Sequence, residues 1–294
     1  MKPAPFKYYA PSTVDEALAH LAEYGYDAKV LAGGQSLIPM MNFRLAQPAV
    51  LVDLNNISQL FYIQPNGDGS GGLRLGAMTR QRQVEHDALV AERAPLVHEV
   101  MPQIAYPQIR ARGTFGGSLA HADPSAELVA VSIALNGSFR LRSQAGERWV
   151  PASEFFIALF TTVLRPDELL VEIALPPMPP RSGWSFRQIT RRHHDFCIAG
   201  VAVTVTLDEK DRCEQARLVF LSAGDGPVDA RQAAELLVGQ TPTPEAIRAA
   251  AEMAASAEID PGSDIHASAE YRRHLSRVLA QQMLTQAFDR ARGA

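Results

Sequence analysis

Two glycine-rich turns are the residues of this chain best suited to chemistry, and the chemistry they suit is the binding of a diphosphate. The first is Ala32-Gly33-Gly34-Gln35-Ser36, leading into Leu37. The second is Gly113-Thr114-Phe115-Gly116-Gly117-Ser118, followed by Leu119-Ala120-His121-Ala122-Asp123-Pro124. Glycine has no Cβ, so a phosphate can approach the backbone closely, and a turn that opens a helix presents N–H groups without an intrahelical acceptor. Gln35, Ser36, Thr114 and Ser118 offer side-chain donors beside those amides. Taken alone, each turn also fits a plain connection that binds nothing. Together they favour a dinucleotide whose diphosphate is clasped from both sides.

Other candidates carry less. Gly67-Asp68-Gly69-Ser70-Gly71-Gly72 matches G-x-G-x-x-G, but it leads into the strand-like Leu73-Arg74-Leu75 and opens no helix. A hairpin turn is expected there. Neither a P-loop nor a G-x-S-x-G elbow occurs. His193-His194-Asp195 are adjacent in sequence and cannot readily converge on one ion, so a turn at a domain junction is expected. His121 and Asp123 are only two candidate ligands in a loop. No catalytic acid, base or nucleophile and no metal site is assigned.

The elements that must hold these turns are legible in outline. Thr13 and Glu16 fit a capping box, Val14, Ala17, Leu18 and Leu21 follow at helical spacing, and Gly25 ends the run. A strand at Val30-Leu31, the first turn, a helical stretch from Leu37 to Arg44 and a strand at 50–53 then form an α/β unit suited to parallel pairing. Residues 81–101 read as helical, as do 126–135, with strands at 139–141 and 169–174. Pro176-Pro177-Met178-Pro179-Pro180 admits neither helix nor central strand and sets a boundary. Beyond it, Ala199 to Leu207 alternates as a half-buried strand with a hairpin partner at 216–221. Helices follow at roughly 229–238, 244–257 and 268–289.

Composition bounds the function. The 294 residues, 47% hydrophobic and 20% charged, suit a two-domain globular protein. A net charge of −4 gives no bulk attraction for nucleic acid or an anionic membrane, so local groups must hold any phosphate. No apolar run approaches the ~20 residues that span a bilayer, and the first residues lack a signal-peptide core. With two cysteines, Cys197 and Cys213, a disulfide framework is excluded and a cytoplasmic setting is expected. The same pair cannot ligate an iron–sulfur cluster, so any such cluster belongs to another chain.

At this point the ordered motifs resemble a known family. Ala32 to Pro39, Arg44-Leu45 and Leu51-Val52-Asp53-Leu54 look like the first FAD segment of the CO dehydrogenase medium subunits. Pro107-Gln108-Ile109-Arg110, Gly113 to Ser118 and Asp123-Pro124 look like the second. Leu164, Pro166 and Glu168-Leu169-Leu170 resemble the segment closing the FAD domain, and Tyr271-Arg272 the C-terminal domain. The likeness spans the chain.

The resemblance implies an α+β protein. Residues 1–178 would form a two-lobed FAD domain of the vanillyl-alcohol oxidase (PCMH) type, with lobes at about 1–57 and 58–178. Residues 181–294 would form a C-terminal domain with a three-stranded antiparallel sheet and a helix bundle. It also implies a large molybdopterin subunit and a small subunit with [2Fe–2S] clusters as partners, in a dimer of heterotrimers. Residues implied at the FAD are Ala32, Gly33, Gly34, Gln35, Ser36 and Leu37, then Thr114, Phe115, Gly116, Gly117 and Ser118. Asp123 matches the family's aspartate near the ribityl or ribose region, Leu164 belongs to the closing segment, and His194-Asp195-Phe196 matches a segment near the flavin ring. Relatives often have Gly-Asp-Tyr there, so His194 and Phe196 depart from the pattern. A self-sufficient flavoprotein oxidase and an assembly subunit that has lost FAD are the competing readings.

Overall fold

The computed structural model describes residues 2–67 and 69–293; Asp68, inside the glycine-rich stretch that mimics a dinucleotide fingerprint, lies outside them. The strands flanking that stretch, Ile63–Pro65 and Leu73–Gly76, pair antiparallel.

The first lobe is built as the pattern requires. The Thr13 hydroxyl accepts the Glu16 amide at 3.2 Å, and the Glu16 carboxylate accepts the Thr13 amide at 3.3 Å. That reciprocal cap starts helix Val14–Tyr24, whose buried face is Val14, Ala17, Leu18 and Leu21. The face packs on Val50 and Val52 of the central strand in a three-stranded sheet, with Lys7–Tyr9 and Ala28–Leu31 parallel on either side. The chain leaves the end of Ala28–Leu31 into the first glycine turn.

The second lobe is an antiparallel five-stranded sheet in the order Ile63–Pro65, Leu73–Gly76, Leu169–Leu175, Ser138–Ser143, Gly146–Pro151. Strand Leu169–Leu175 joins the lobes. Leu169 and Val171 sit in the core of the first, while Leu170, Ile173 and Leu175 sit in the core of the second; a register shift between Leu170 and Glu172 interrupts the alternation, so that residues 170, 173 and 175 share one face. Residues 81–101, expected as one helical stretch, form three short helices at Gln81–His86, Ala88–Arg93 and Pro95–Val100. Asp87 breaks the run by accepting the Leu89 and Val90 amides at 2.9 and 3.1 Å, and Pro95 begins the third helix.

The C-terminal domain has four strands where three were expected: Ser182–Thr190, Cys197–Leu207, Cys213–Leu221 and Val228–Asp229. The fourth is two residues long, too short for any periodicity to reveal. Helix Ala269–Gly293 lies across the first two strands so closely that a Cβ on Gly183 would stand 1.8 Å from the Ala287 carbonyl oxygen. Helix Glu127–Ala134 is buried from Leu128 to Ala134, apolar there except for Ser132, because it lies between this sheet and the second lobe. Thr204 and Arg217 donate to the carbonyls of Ala134 and Ile133 at 3.0 and 2.8 Å, and Phe186, Ala202 and Val219 join the second lobe's core. Cys197 and Cys213 are both free and buried.

Candidate functional site

The two glycine turns are in contact. A Cβ on Gly33 would lie 2.4 Å from the Arg112 carbonyl oxygen and 2.8 Å from the Gly113 Cα. A Cβ on Gly117 would lie 3.2 Å from the Ala32 Cβ. Turns separated by some 80 positions in the chain thus form one surface.

They supply different things to it. In the first turn, Gly34 has φ +74°, which an L side chain rarely adopts, and the chain there lifts its amides clear of the strand. Among the described residues, the amides of Gly33, Gly34, Gln35, Ser36 and Leu37 donate to no protein atom, and neither does the Ser36 hydroxyl. Gln35 spends its side chain on the turn, donating Nε2 to the Gly33 carbonyl at 3.1 Å.

The second turn is stitched to residues 77–81. Phe115 donates to the Thr79 carbonyl at 3.0 Å and Gly116 to the Ala77 carbonyl at 2.9 Å, while the Gly113 carbonyl accepts the Gln81 amide at 2.9 Å. Gly117 donates to the Thr114 hydroxyl at 3.0 Å, and Ser118 to the Thr114 carbonyl at 3.2 Å. The expectation that this turn offers the same kind of amide cradle as the first therefore needs correction. Of Thr114 to Ser118, only the Thr114 amide has no protein acceptor among the described residues, and the Ser118 hydroxyl is likewise unbonded. Glycine is required at 116 for packing, since a Cβ there would lie 2.6 Å from that of Ala77.

The remaining residues expected at the site extend away from the turns toward the domain junction. Helix Phe115–His121 ends with the His121 ring against Phe160, 5.0 Å between centroids, and the Phe160 amide donates to the Ala122 carbonyl at 3.2 Å. Burial lowers the His121 pKa, against the pull of Asp123. Asp123 accepts the Ser125 amide at 2.8 Å, and Leu164, half-buried, packs on the second lobe's core. The Pro124 carbonyl accepts the Ser222 amide at 2.9 Å, so the C-terminal domain meets this segment directly.

His194, Asp195 and Phe196 form the exposed loop between strands Ser182–Thr190 and Cys197–Leu207. The His194 ring lies 5.2 Å from that of Tyr106, which ties the loop to the segment just before the second turn. His194 has φ +67°, the left-handed region that suits the glycine found in the resembled pattern. Its imidazole pKa is lowered by burial and by the nearby His193 and Arg110. The Phe196 ring is 76% exposed, presented by the protein with nothing over it.

Three residues were not singled out from the sequence. Asn55 and Arg80 bond the two turns to one another. A signal existed for Asn55: it follows the end of a parallel strand, where α/β units place their ligand-facing loops. Nothing local marks Arg80, whose partners lie 25 and 32 positions away. The third is Glu127, half-buried at the domain junction, where it accepts a bond from Gln188 Nε2 at 2.8 Å. Burial pushes its carboxyl up to about 7, Asp123 adds to the effect, and the Gln188 bond opposes it.

Glu127 gives a signed pH prediction. The folded chain keeps a proton there that the unfolded chain releases at an ordinary carboxylate value, so stability declines as pH rises from about 4.5 to about 7. The decline amounts to about 3 kcal/mol in all. Glu127→Gln should melt at a higher temperature than the parent at pH 8 and at the same temperature at pH 4. Equal melting at both pH values would show that Glu127 ionises as freely in the fold as in the unfolded chain.

Two surface hollows lie away from these turns, one of about 400 Å³ beside Asp15 and Arg142, the other of about 290 Å³ beside Pro176 to Pro179. Neither includes any residue of the two turns.

Similarity to known proteins matches this arrangement. Residues 4–178 match the family described as the FAD binding domain in molybdopterin dehydrogenase, and residues 184–287 the CO dehydrogenase flavoprotein C-terminal domain. The chain is 39% identical to the 6-hydroxypseudooxynicotine dehydrogenase complex subunit alpha of Paenarthrobacter nicotinovorans, covering 99% of this chain and 97% of that one. A chain of the solved carbon monoxide dehydrogenase of Hydrogenophaga pseudoflava superposes with a TM-score of 0.94 at 36% identity, with 99% of each chain covered. Quinoline 2-oxidoreductase of Pseudomonas putida 86 gives a TM-score of 0.92 at 35% identity, again over 99% of each chain. With both halves matched and the whole length shared, the chain belongs to the family of FAD-binding subunits of the molybdopterin dehydrogenases, a family of oxidoreductases.

Proposed function

We propose that this chain is the FAD-binding, electron-transferring subunit of a molybdenum-containing hydroxylase or dehydrogenase complex. The observation that carries this reading is the run of unpartnered amides at 33–37 set directly against a second glycine turn. A diphosphate fits these residues. Its oxygens need donors that the net acidic chain does not supply in bulk, and the first turn holds several with no acceptor of their own. In this reading Ala32 to Leu37 supply the main amide contacts. Thr114 contributes its amide and Ser118 its hydroxyl, while Phe115, Gly116 and Gly117 set the spacing. Asp123 and Leu164 line the way to the flavin ring, and His194, Asp195 and Phe196 border that ring.

Bound FAD supplies the redox chemistry, accepting electrons that arrive through the [2Fe–2S] clusters of a small partner subunit and passing them to an external acceptor. The chain's own residues bind and orient the cofactor, and none is required as an acid or base in substrate oxidation. Phe196 offers an apolar ring face with no hydroxyl, and His194 fills a place that glycine would leave open. Substrate selection lies with the large molybdopterin subunit. The proposed assembly is a dimer of heterotrimers in the cytoplasm. Its support is that the relatives are named as subunits of dehydrogenase complexes and that no helix of the described residues is long and apolar enough to cross a membrane.

The test is purification of the chain alone and with its partners. The chain alone should carry or take up FAD, show flavin absorbance, and turn over no small substrate. Within the complex its flavin should be bleached by the complex's substrate. Turnover by the isolated chain would make it a self-sufficient oxidase, and a colourless protein in an active complex would make it an assembly subunit.

A further inference from the structure

The contact between the turns is held by side chains that belong to neither. Arg80 donates Nη1 to the Arg112 carbonyl at 2.6 Å and Nη2 to Asn55 Oδ1 at 2.5 Å. Asn55 in turn donates Nδ2 to the Ala32 carbonyl at 3.0 Å. One end of this chain of bonds is thus the first residue of the first turn, and the other is the residue just before the second. The Arg112 carbonyl is also the atom that a Cβ on Gly33 would strike. Arg80 therefore fixes the surface on which the first turn rests.

Both members are themselves held. The Asn55 amide and side chain both donate to Asp53 Oδ1, and Asp53 Oδ2 accepts the Tyr8 hydroxyl at 2.5 Å. Arg80 pairs with Thr114 as an antiparallel bridge, its amide donates to Gln83 Oε1 at 3.1 Å, and its guanidinium lies 5.3 Å from the centre of the Phe61 ring. A guanidinium has five N–H donors, so three remain beyond those given to Arg112 and Asn55. Among the described residues Arg80 makes no ion pair, and Asp53, the carboxylate that acts on it, is reached only through Asn55. Burial and the neighbouring Arg112 both weigh against its charge. A guanidinium nonetheless stays charged in a protein. The fold thus keeps a half-buried cation with no direct ion pair among the described residues beside a run of amides that also have no partner.

From this we infer that Asn55 and Arg80 are positioning residues of the dinucleotide site. Together they clamp the two glycine turns at the spacing a diphosphate needs, and the Arg80 charge meets the charge of that diphosphate. This rests on the FAD reading above and deepens it: the amides give shape, and Arg80 gives both the register and a full positive charge. Lysine cannot replace it, because a single ammonium on a flexible stem does not present the fork that reaches Arg112 and Asn55 at once.

The experiment titrates FAD into the apo full chain, for the parent, Arg80→Met, Arg80→Lys, Asn55→Leu and a surface control, Arg273→Met. Arg80→Met should bind FAD about 30-fold more weakly, as expected for charge-assisted bonds, and Asn55→Leu and Arg80→Lys about 10-fold more weakly. Repeating the titration at several salt concentrations separates charge from shape. The parent and Arg80→Lys should lose affinity with salt more steeply than Arg80→Met. If Arg80→Met does not fold, Arg80→Lys and Asn55→Leu carry the comparison. Affinities within twofold of the parent in folded variants, or an unchanged salt slope in Arg80→Met, would overturn the inference while leaving the FAD reading intact. A parent chain that takes up no FAD would overturn the FAD reading and the inference with it.

Discussion

Gly33→Ala should cost this chain about 100-fold in FAD affinity, the equivalent of about 3 kcal/mol at the upper end of ordinary overpacking. The new Cβ would stand 2.4, 2.8 and 2.9 Å from the Arg112 oxygen, the Gly113 Cα and the Arg112 carbonyl carbon. All three are backbone atoms that no rotamer change can move aside. Relief requires the turns to separate, and separation moves the amides of the first turn away from the Thr114 amide and Ser118 hydroxyl. Gly34→Ala is the instructive contrast. Its Cβ would meet only flexible side-chain atoms of Ile38 and Leu31 at 3.1 and 3.2 Å, so the cost is that of φ +74°, about 1 kcal/mol. Gly33→Ala should thus be the more damaging of the two. Fluorescence titration of FAD into the apo chain ranks them. A Gly33→Ala protein as well loaded as the parent would mean that the turns need not touch for the cofactor to bind.

The largest effect on stability is expected from Arg110→Met, at about 3–5 kcal/mol. Arg110 is 4% exposed and uses four bonds: Nε and Nη2 to the Glu85 carboxylate at 2.8 and 2.9 Å, and Nη1 to the Ile104 and Ala105 carbonyls at 2.8 Å each. Removing it strands a poorly solvated carboxylate and frees the loop that leads into the second turn, where Ala105 already sits at φ +41°. The hydrogen bond from Arg110 is the main reason the Glu85 carboxyl titrates below its ordinary range, against the opposing effect of burial. That contribution is therefore full above the ordinary carboxylate pKa and is lost as pH falls through the lowered folded value. Urea unfolding at neutral pH should show the loss. The double variant Glu85→Met with Arg110→Met should recover part of it, because neither charge is then buried alone. A single variant within about 1 kcal/mol of the parent would place the pair among ordinary surface ion pairs.

Patterns that act over short stretches were legible in the sequence. The Thr13–Glu16 box, the strand that ends in the first glycine turn and the parallel strand at 50–53 all emerge as read. Each depends on residues within a few positions of one another. Where a reading went astray, a break inside a helical run or a very short element was responsible. The helical run at 81–101 is divided by an aspartate cap and a proline. The two-residue strand Val228–Asp229 exists only because Val219 and Phe220 lie beside it.

At the site, glycine content and placement marked both turns as candidates for a diphosphate, because the absence of a Cβ is a property of the residue itself. What the sequence could not divide was the work between them. The first turn keeps its amides free, whereas the second gives most of its own to residues 77–81 and to the Thr114 cap. Both combine glycines with hydroxyl side chains, and only packing decides which N–H groups already have acceptors. Arg80 and Asn55 depend on tertiary structure in the same way. A guanidinium reaching carbonyl and amide partners 25 and 32 residues away leaves no periodic trace, since its bonds are made across space after the strands have paired.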